Sequence, residues 1–261
     1  MSISGKTDPS VRAITFADLA EALVAGLRDF QAAPRYGMLL GAIYCAAGIA
    51  IVLSVTSLGM SYLAYPLAAG FALLGPFVAV GFYEISRKRE AGQTARLADI
   101  VGVMTSRGEI GWMAFVTLFI FIMWMYQARF LMALFFGLNT SFTSLTQFLA
   151  VVLTTNEGLL FLMIGNIIGA GLATLLFSLT VISFPLLLDR DVDCVTAMVT
   201  SVRAVVASPA PLLGWAAVIV VLLIVSSLPL FIGLIVVLPV LGHASWHLYR
   251  RIIVPVPAGA S

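Results

Sequence analysis

Apolar positions along this chain fall into long unbroken runs, and the polar positions gather between them. Four runs are clear: about Met38 to Ser57, Met60 to Phe82, Gly111 to Gln127 and Leu159 to Leu188. Each has about the length of a helix that crosses a hydrocarbon core, which takes ~20 apolar residues. A fifth block, Pro211 to Tyr249, would make one helix of roughly 55 to 60 Å at 1.5 Å per residue, too long for a single crossing. It divides at Ser226, Ser227 and Pro229, which predicts two shorter helices joined by a tight turn.

The polar segments before the first, third and fifth runs share a design. In the first, Phe16, Leu19, Leu23, Leu27 and Phe30 fall on one helical stripe, while Asp18, Glu21, Arg28 and Asp29 lie mostly away from it. Thr15 with Asp18 reads as a capping box and Pro34 as the stop. In the second, Leu97, Ile100, Val101 and Met104 follow Thr94 and precede Gly108; in the third, Val195, Met198, Val199, Val202 and Val206 follow an Asp193 cap. Each such helix buries its stripe at the acyl boundary or against the bundle and turns its charges to the cytoplasm. The predicted unit is therefore an amphipathic surface helix followed by a transmembrane hairpin, present three times over residues 15–90, 91–190 and 191–249. A second signal agrees: Pro76 precedes Tyr83, Glu84 and Arg87 at the same offsets at which Pro239 precedes Trp246, His247 and Arg250. Pro185, Asp189 and Arg190, at the end of the fourth run, do not keep that spacing.

The expected fold class is thus all-α: a polytopic helical membrane protein with six transmembrane helices in three hairpins. Residues 1–14 form a disordered tail, 15–249 one membrane domain and 250–261 a second tail. Charge sets the orientation, because Lys and Arg concentrate in short cytoplasmic loops. Six crossings put all but Arg129 of the 14 basic residues on one side, with both termini cytoplasmic. Five crossings would export Arg250 and Arg251. With 61% hydrophobic and 10% charged residues, a net charge of +2 and a mean hydropathy of +1.09, the composition excludes a conventional soluble enzyme and a general nucleic-acid binder. The N-terminal segment lacks the pattern of a cleaved signal peptide. Cys45 and Cys194 stand in contexts that suggest neither a disulfide nor a metal clip.

Few residues could carry chemistry. In the fourth run, Gly165, Gly169 and Ala173 give small-residue spacing for close helix approach, and Asn166 beside them offers either a hydrogen bond across that contact or a solute contact. His243 and His247, the only histidines, are one turn apart on one helix face; they read either as a pair of metal or haem ligands or, with Trp246, Tyr249, Arg250 and Arg251, as a cytoplasmic interface anchor. The juxtamembrane cluster Asp189, Arg190, Asp191 and Asp193 can cap the next helix, pair with Arg203 or bind a hard cation. Arg129 and Glu157 flank an outer connection that holds the short apolar stretches Phe130 to Phe136 and Leu145 to Leu153, and are expected either to pair or to leave Arg129 snorkelling to the headgroups. There is no phosphate loop, metalloprotease motif, paired-cysteine cluster or nucleophile elbow in the sequence, and intramembrane ionisable groups are nearly absent.

The run from Ser183-Phe184-Pro185 through Asp189-Arg190-Asp191-Val192-Asp193, continuing in Thr196-Ala197-Met198 and Thr200 to Val205, together with Gly165-Asn166, Trp215 and Leu241 to Arg250, resembles a bacterial family of predicted integral membrane proteins, domain of unknown function two-one-eight-nine. The likeness extends over most of the chain beyond the N-terminal tail. The family has no established activity to carry over. Some of its members bear the label of a cytochrome c oxidase subunit, but two histidines at one end cannot hold the haems and copper of the catalytic subunit. The expectation is a multi-pass protein of the bacterial inner membrane that is not an enzyme and has no cofactor. Its partners are the lipid bilayer and a protein at the cytoplasmic amphipathic helices. Its function is that of a scaffold or interaction protein; the alternatives are a transporter or channel-like protein for a small or lipophilic solute, and a metal- or haem-binding accessory protein of a respiratory complex.

Overall fold

The computed structural model describes residues 9–57, 64–106, 108–138, 142 and 145–254. The predicted terminal tails lie largely outside these residues, as do Met60 to Leu63 of the second apolar run and the side chain of Met104. The helices are α1 Phe16–Ala32, α2 Pro34–Thr56, α3 Ala64–Glu90, α4 Leu97–Ser106, α5 Gly108–Phe136, α6 Leu145–Thr154, α7 Asn156–Thr180, α8 Ser183–Asp189, α9 Cys194–Ala207, α10 Pro209–Ser227 and α11 Leu234–Ile252. Among the described residues the only extended pairing is an isolated antiparallel bridge, Val11 with Ile253. The chain forms two compact units, one from residues 1–113 and 178–261, the other from 114–177.

Among the described residues, four helices are long and apolar enough to cross a membrane: Pro34–Ser54, Gly108–Phe136, Asn156–Asp189 and Pro209–Ser227. Their outward surfaces are apolar, with Ile43, Leu53, Phe115, Phe119, Ile167 and Val221 all exposed. A helix that is apolar all round, yet exposed, has lipid as its natural solvent. The pattern predicts six such helices, and four are found among the described residues. The two that fall short, α3 and α11, couple an apolar N-terminal part to a charged C-terminal part, Glu84 to Glu90 and His243 to Arg251 respectively. The predicted break in the fifth block is where the chain turns, since α10 ends at Ser227 and the turn 228–233 carries Leu230 and Phe231 at positive φ. Phe130 to Phe136, read from the sequence as a separate stretch, instead continues α5 without a break.

In the first unit α2, α3 and α11 form the centre, with Tyr44, Phe82, Ile85, Leu234 and Leu238 packed against Ile100 of α4. Glycines set the distance between α2 and α11. A Cβ at Gly41 would lie 2.8 Å from the Ile235 Cα, and one at Gly48 would lie 2.9 Å from the Phe231 ring. The same close approach continues into α1, where a Cβ at Gly26 would lie 2.5 Å from the Ala244 backbone nitrogen. Small residues at such a seam let backbones pack directly, which is how helices associate where no hydrophobic drive operates between them. The predicted small-residue seam on α7 is looser. Gly165 and Gly169 face Leu131 and Trp124 of α5, but only at ordinary contact distance.

The stripes expected of the surface helices divide between the bundle and the outside, with Leu19 and Ile100 buried and Leu23, Phe30, Met198 and Val202 half-buried. α1 turns Leu19, Ala22, Gly26 and Asp29 inward and leaves Phe16, Val24 and Leu27 exposed. α9 buries Ala197, Thr200, Ser201 and Ala204, while Val195, Val199 and Val206 face out, the last at 73% exposure. α4 buries Ile100 and exposes Leu97 and Val101. The predicted caps are present in two cases. Thr15 and Asp18 close the capping box of α1, and Asp193 accepts from the Thr196 amide at the start of α9. At α4, Asp99 reaches back to accept from the Arg96 amide at 3.0 Å.

Candidate functional site: a buried polar clamp

The ends of α1, α3 and α11 meet around Asp29, which is 7% exposed. Three elements supply its partners. From α3, the Ser86 hydroxyl donates to Asp29 Oδ2 at 2.6 Å and an Arg89 guanidinium nitrogen donates to Oδ1 at 2.8 Å. From α11, His247 Nε2 donates to Oδ2 at 2.8 Å. Behind Ser86 lies His243, fully buried, with Nδ1 2.8 Å from the same hydroxyl. Helical spacing explains the convergence: residues 243 and 247 share one face of α11, while Ser86 and Arg89 are three apart on α3.

Proton counting fixes the roles. The serine hydroxyl has one proton, and the carboxylate takes it, so His243 must donate from Nδ1 and carry a bare Nε2. That Nε2 has no hydrogen-bond partner among the described residues. Burial on its own would raise the pKa of Asp29. Hydrogen bonds from His247 and Ser86 and the positive charge beside it prevail, holding the carboxyl below the ordinary carboxylate range. An aspartate, a serine and a histidine in contact are also the parts of a nucleophilic site, but this geometry runs the other way. The imidazole donates to the hydroxyl instead of taking its proton, and Ser86 is fully enclosed. What the arrangement does is tie three helices together.

A shell of ion pairs surrounds the clamp. Arg250 reaches Glu90 at 2.9 Å and Asp189 at 3.2 Å, and the Tyr249 hydroxyl donates to Asp189 at 2.6 Å. Arg251 contacts Glu21 at 2.7 Å and Asp18 at 3.1 Å, and Arg87 pairs with Glu84 on its own helix. The Tyr83 and Trp246 rings, equivalent by the Pro76 and Pro239 spacing, lie 6.4 Å apart.

The sequence candidates divide on this geometry. His243 and His247 are both at the site, but their near nitrogens are directed to Ser86 and to Asp29, and the second nitrogen of His247 faces Glu90 at 3.8 Å. No group of three or more histidine, cysteine, aspartate or glutamate side chains is arranged to hold a metal among the described residues. Asp189 belongs to the surrounding shell and meets Arg250, while Arg190 donates to the Val254 carbonyl and Asp193 caps α9. Asp191 and Arg203 lie on exposed positions. Asn166 donates to the Leu162 carbonyl of its own helix at 2.7 Å, so its amide does not bridge to a neighbour. Arg129 and Glu157 are both exposed and form no ion pair with each other. Cys45 and Cys194 are buried free thiols. Asp29, Ser86 and Arg89 were not among the candidates. A signal for Asp29 was present, since it sits one turn beyond Gly26 on the small-residue face of α1, but a stripe drawn through the large apolar residues assigns it to water.

No curated protein and no solved structure matches the chain. The family likeness covers less of the chain than the motifs suggest, because Thr196 to Val205, Trp215 and Leu241 to Arg250 fall outside the matched region. Residues 64–189, from the start of α3 to the end of α8, match the family model described as predicted integral membrane protein (DUF2189), the same family that the sequence motifs resemble.

Proposed function

We propose that this protein is a scaffold of the bacterial inner membrane, without catalytic activity, that holds three amphipathic helices at the cytoplasmic surface as a platform for a protein partner. The carrying observation is the common design of α1, α4 and α9, each with a face packed on its own unit and an apolar face turned outward. Their packing follows the order of the proposed repeat: α4 lies on α3, α9 on α8, and α1 on α11. Each surface helix thus rests on the second helix of the preceding hairpin, and the first rests on the last. In this reading α3 and α11 complete six crossings, and both termini are cytoplasmic. The parallel course of those two helices supports it, as does the short turn that joins α10 to α11. An apolar outer face with charges beside it is the signature of a helix lying in the membrane interface.

The test is labelling of single cysteines at Glu21, Gln93 and Arg203 with a membrane-impermeant maleimide. All three are expected to react in inside-out vesicles and to be protected in intact spheroplasts. Labelling of any one of them from the outside would overturn the topology, and with it the platform.

A further inference from the structure

The carboxylates around α1 are matched within the protein, while two arginines beside them, Arg28 and Arg35, have no such match among the described residues. Asp18 and Glu21 face Arg251, Asp29 faces Arg89 and His247, and Glu90 faces Arg250. Arg28 and Arg35 are exposed and have no carboxylate partner among the described residues. The Arg35 guanidinium lies over the Tyr36 ring, 4.8 Å from its centroid, and the Arg28 carbonyl accepts from Arg89. Their place in the chain is specific. Arg28 follows Leu27 of the outward apolar face, and Arg35 is the second residue of the apolar span that begins at Pro34.

We propose that this edge of α1 binds the anionic headgroups of the membrane's own phospholipids. Phe16, Val24 and Leu27 would rest at the acyl boundary, with Arg28 and Arg35 on the phosphates above it. Guanidinium is suited to this, because its planar donors meet phosphate oxygens two at a time. With the neighbouring carboxylates already paired, the charge presented to the headgroups is net positive. Each basic residue near an anionic surface is worth about a fivefold preference, so the pair should enrich anionic lipid by about tenfold after screening.

The inference rests on the placement of α1 at the membrane interface, and two measurements separate the two. The full chain is reconstituted into nanodiscs of equal phosphatidylcholine and phosphatidylglycerol, and the lipids it retains are counted by native mass spectrometry. Phosphatidylglycerol should dominate for the wild type and fall to near parity for Arg28→Gln/Arg35→Gln. Equal retention by the wild type, or an unchanged ratio in the double variant, would overturn the proposal. In parallel, a fluorophore at Ala20→Cys, on the apolar face of α1 in a background lacking Cys45 and Cys194, should be quenched by a lipid-borne quencher, and one at Gln93→Cys should not. Quenching at position 20 without anionic enrichment refutes the lipid preference alone. Absence of quenching there refutes the interfacial placement and the preference with it.

Discussion

Replacing Asp29 by Asn keeps the shape of the side chain and removes its charge, leaving Arg89, His247 and Ser86 to donate to an amide that also carries donors of its own. The loss can be sized from the contacts. Three donors converge on a carboxylate that is 7% exposed, and removing one partner of a buried charged pair costs about 3–5 kcal/mol. The Arg89 side chain is 40% exposed and that of His247 18%, so water compensates part of the change and the lower end applies, about 3 kcal/mol. For a chain of this size that is a fall of roughly 6–12 °C in the unfolding midpoint. The protein supplies its own probe, because Cys45 and Cys194 are buried free thiols that become reactive only on unfolding. A thiol-reactive dye followed during heating in detergent, at one scan rate for all variants, reads the shift. His247→Gln alone and combined with Asp29→Asn closes a double-mutant cycle, in which a coupling of about 1–3 kcal/mol is expected. A midpoint for Asp29→Asn within 2 °C of the wild type, or strict additivity in the cycle, would refute the view that Asp29 clamps the three helices.

The same carboxylate sets a pH dependence: because its folded pKa is depressed, the stability it adds is full above the ordinary carboxylate range and lost as pH falls through the folded value. The gap in melting midpoint between wild type and Asp29→Asn should therefore be widest near neutrality and narrow once the pH drops below the ordinary carboxylate range. Gly26→Val places side-chain atoms where a Cβ already comes within 2.5 Å of the Ala244 backbone, so α1 should separate from α11, seen as faster trypsin cleavage at Arg28. Thr15→Ala removes the oxygen that caps α1 and should cost about 1 kcal/mol, a midpoint shift of a few degrees. Asn166→Leu should leave the midpoint unchanged, because the amide bonds only within its own helix and faces outward.

Most of the helical architecture was legible in the sequence, because apolar length alone demands helices in lipid. The break after Ser227, the Thr15 capping box and the stop at Pro34 were local signals that nothing in the packing overrode. What was misread shares one cause. Large apolar residues at 3.6-residue spacing mark a face that buries at the acyl boundary or against the bundle, and spacing alone does not tell those two surroundings apart. For a helix with lipid on one side, the protein-facing surface is the small-residue one, so Ala22 and Gly26 in α1 and Ala197 and Ala204 in α9 mark the packing instead. His243 and His247 were picked out as a pair. Their partners were not, because Asp29 and Ser86 come from helices more than 150 residues away in sequence, and no periodicity within one helix reports on that.

The N-terminal surface helix α1 closes onto α11, and the most direct test of that contact is a cross-link in native membranes. Glu21 and Arg251 form a 2.7 Å ion pair at the end of that contact, and cysteines at both positions, with Cys45 and Cys194 removed, should be joined by a short bismaleimide. Cleavage of the intervening chain should then leave the two ends covalently linked. Two cysteines that each react with a monofunctional maleimide from the cytoplasmic side, yet are never joined by the bismaleimide, would contradict the fold described for the first unit.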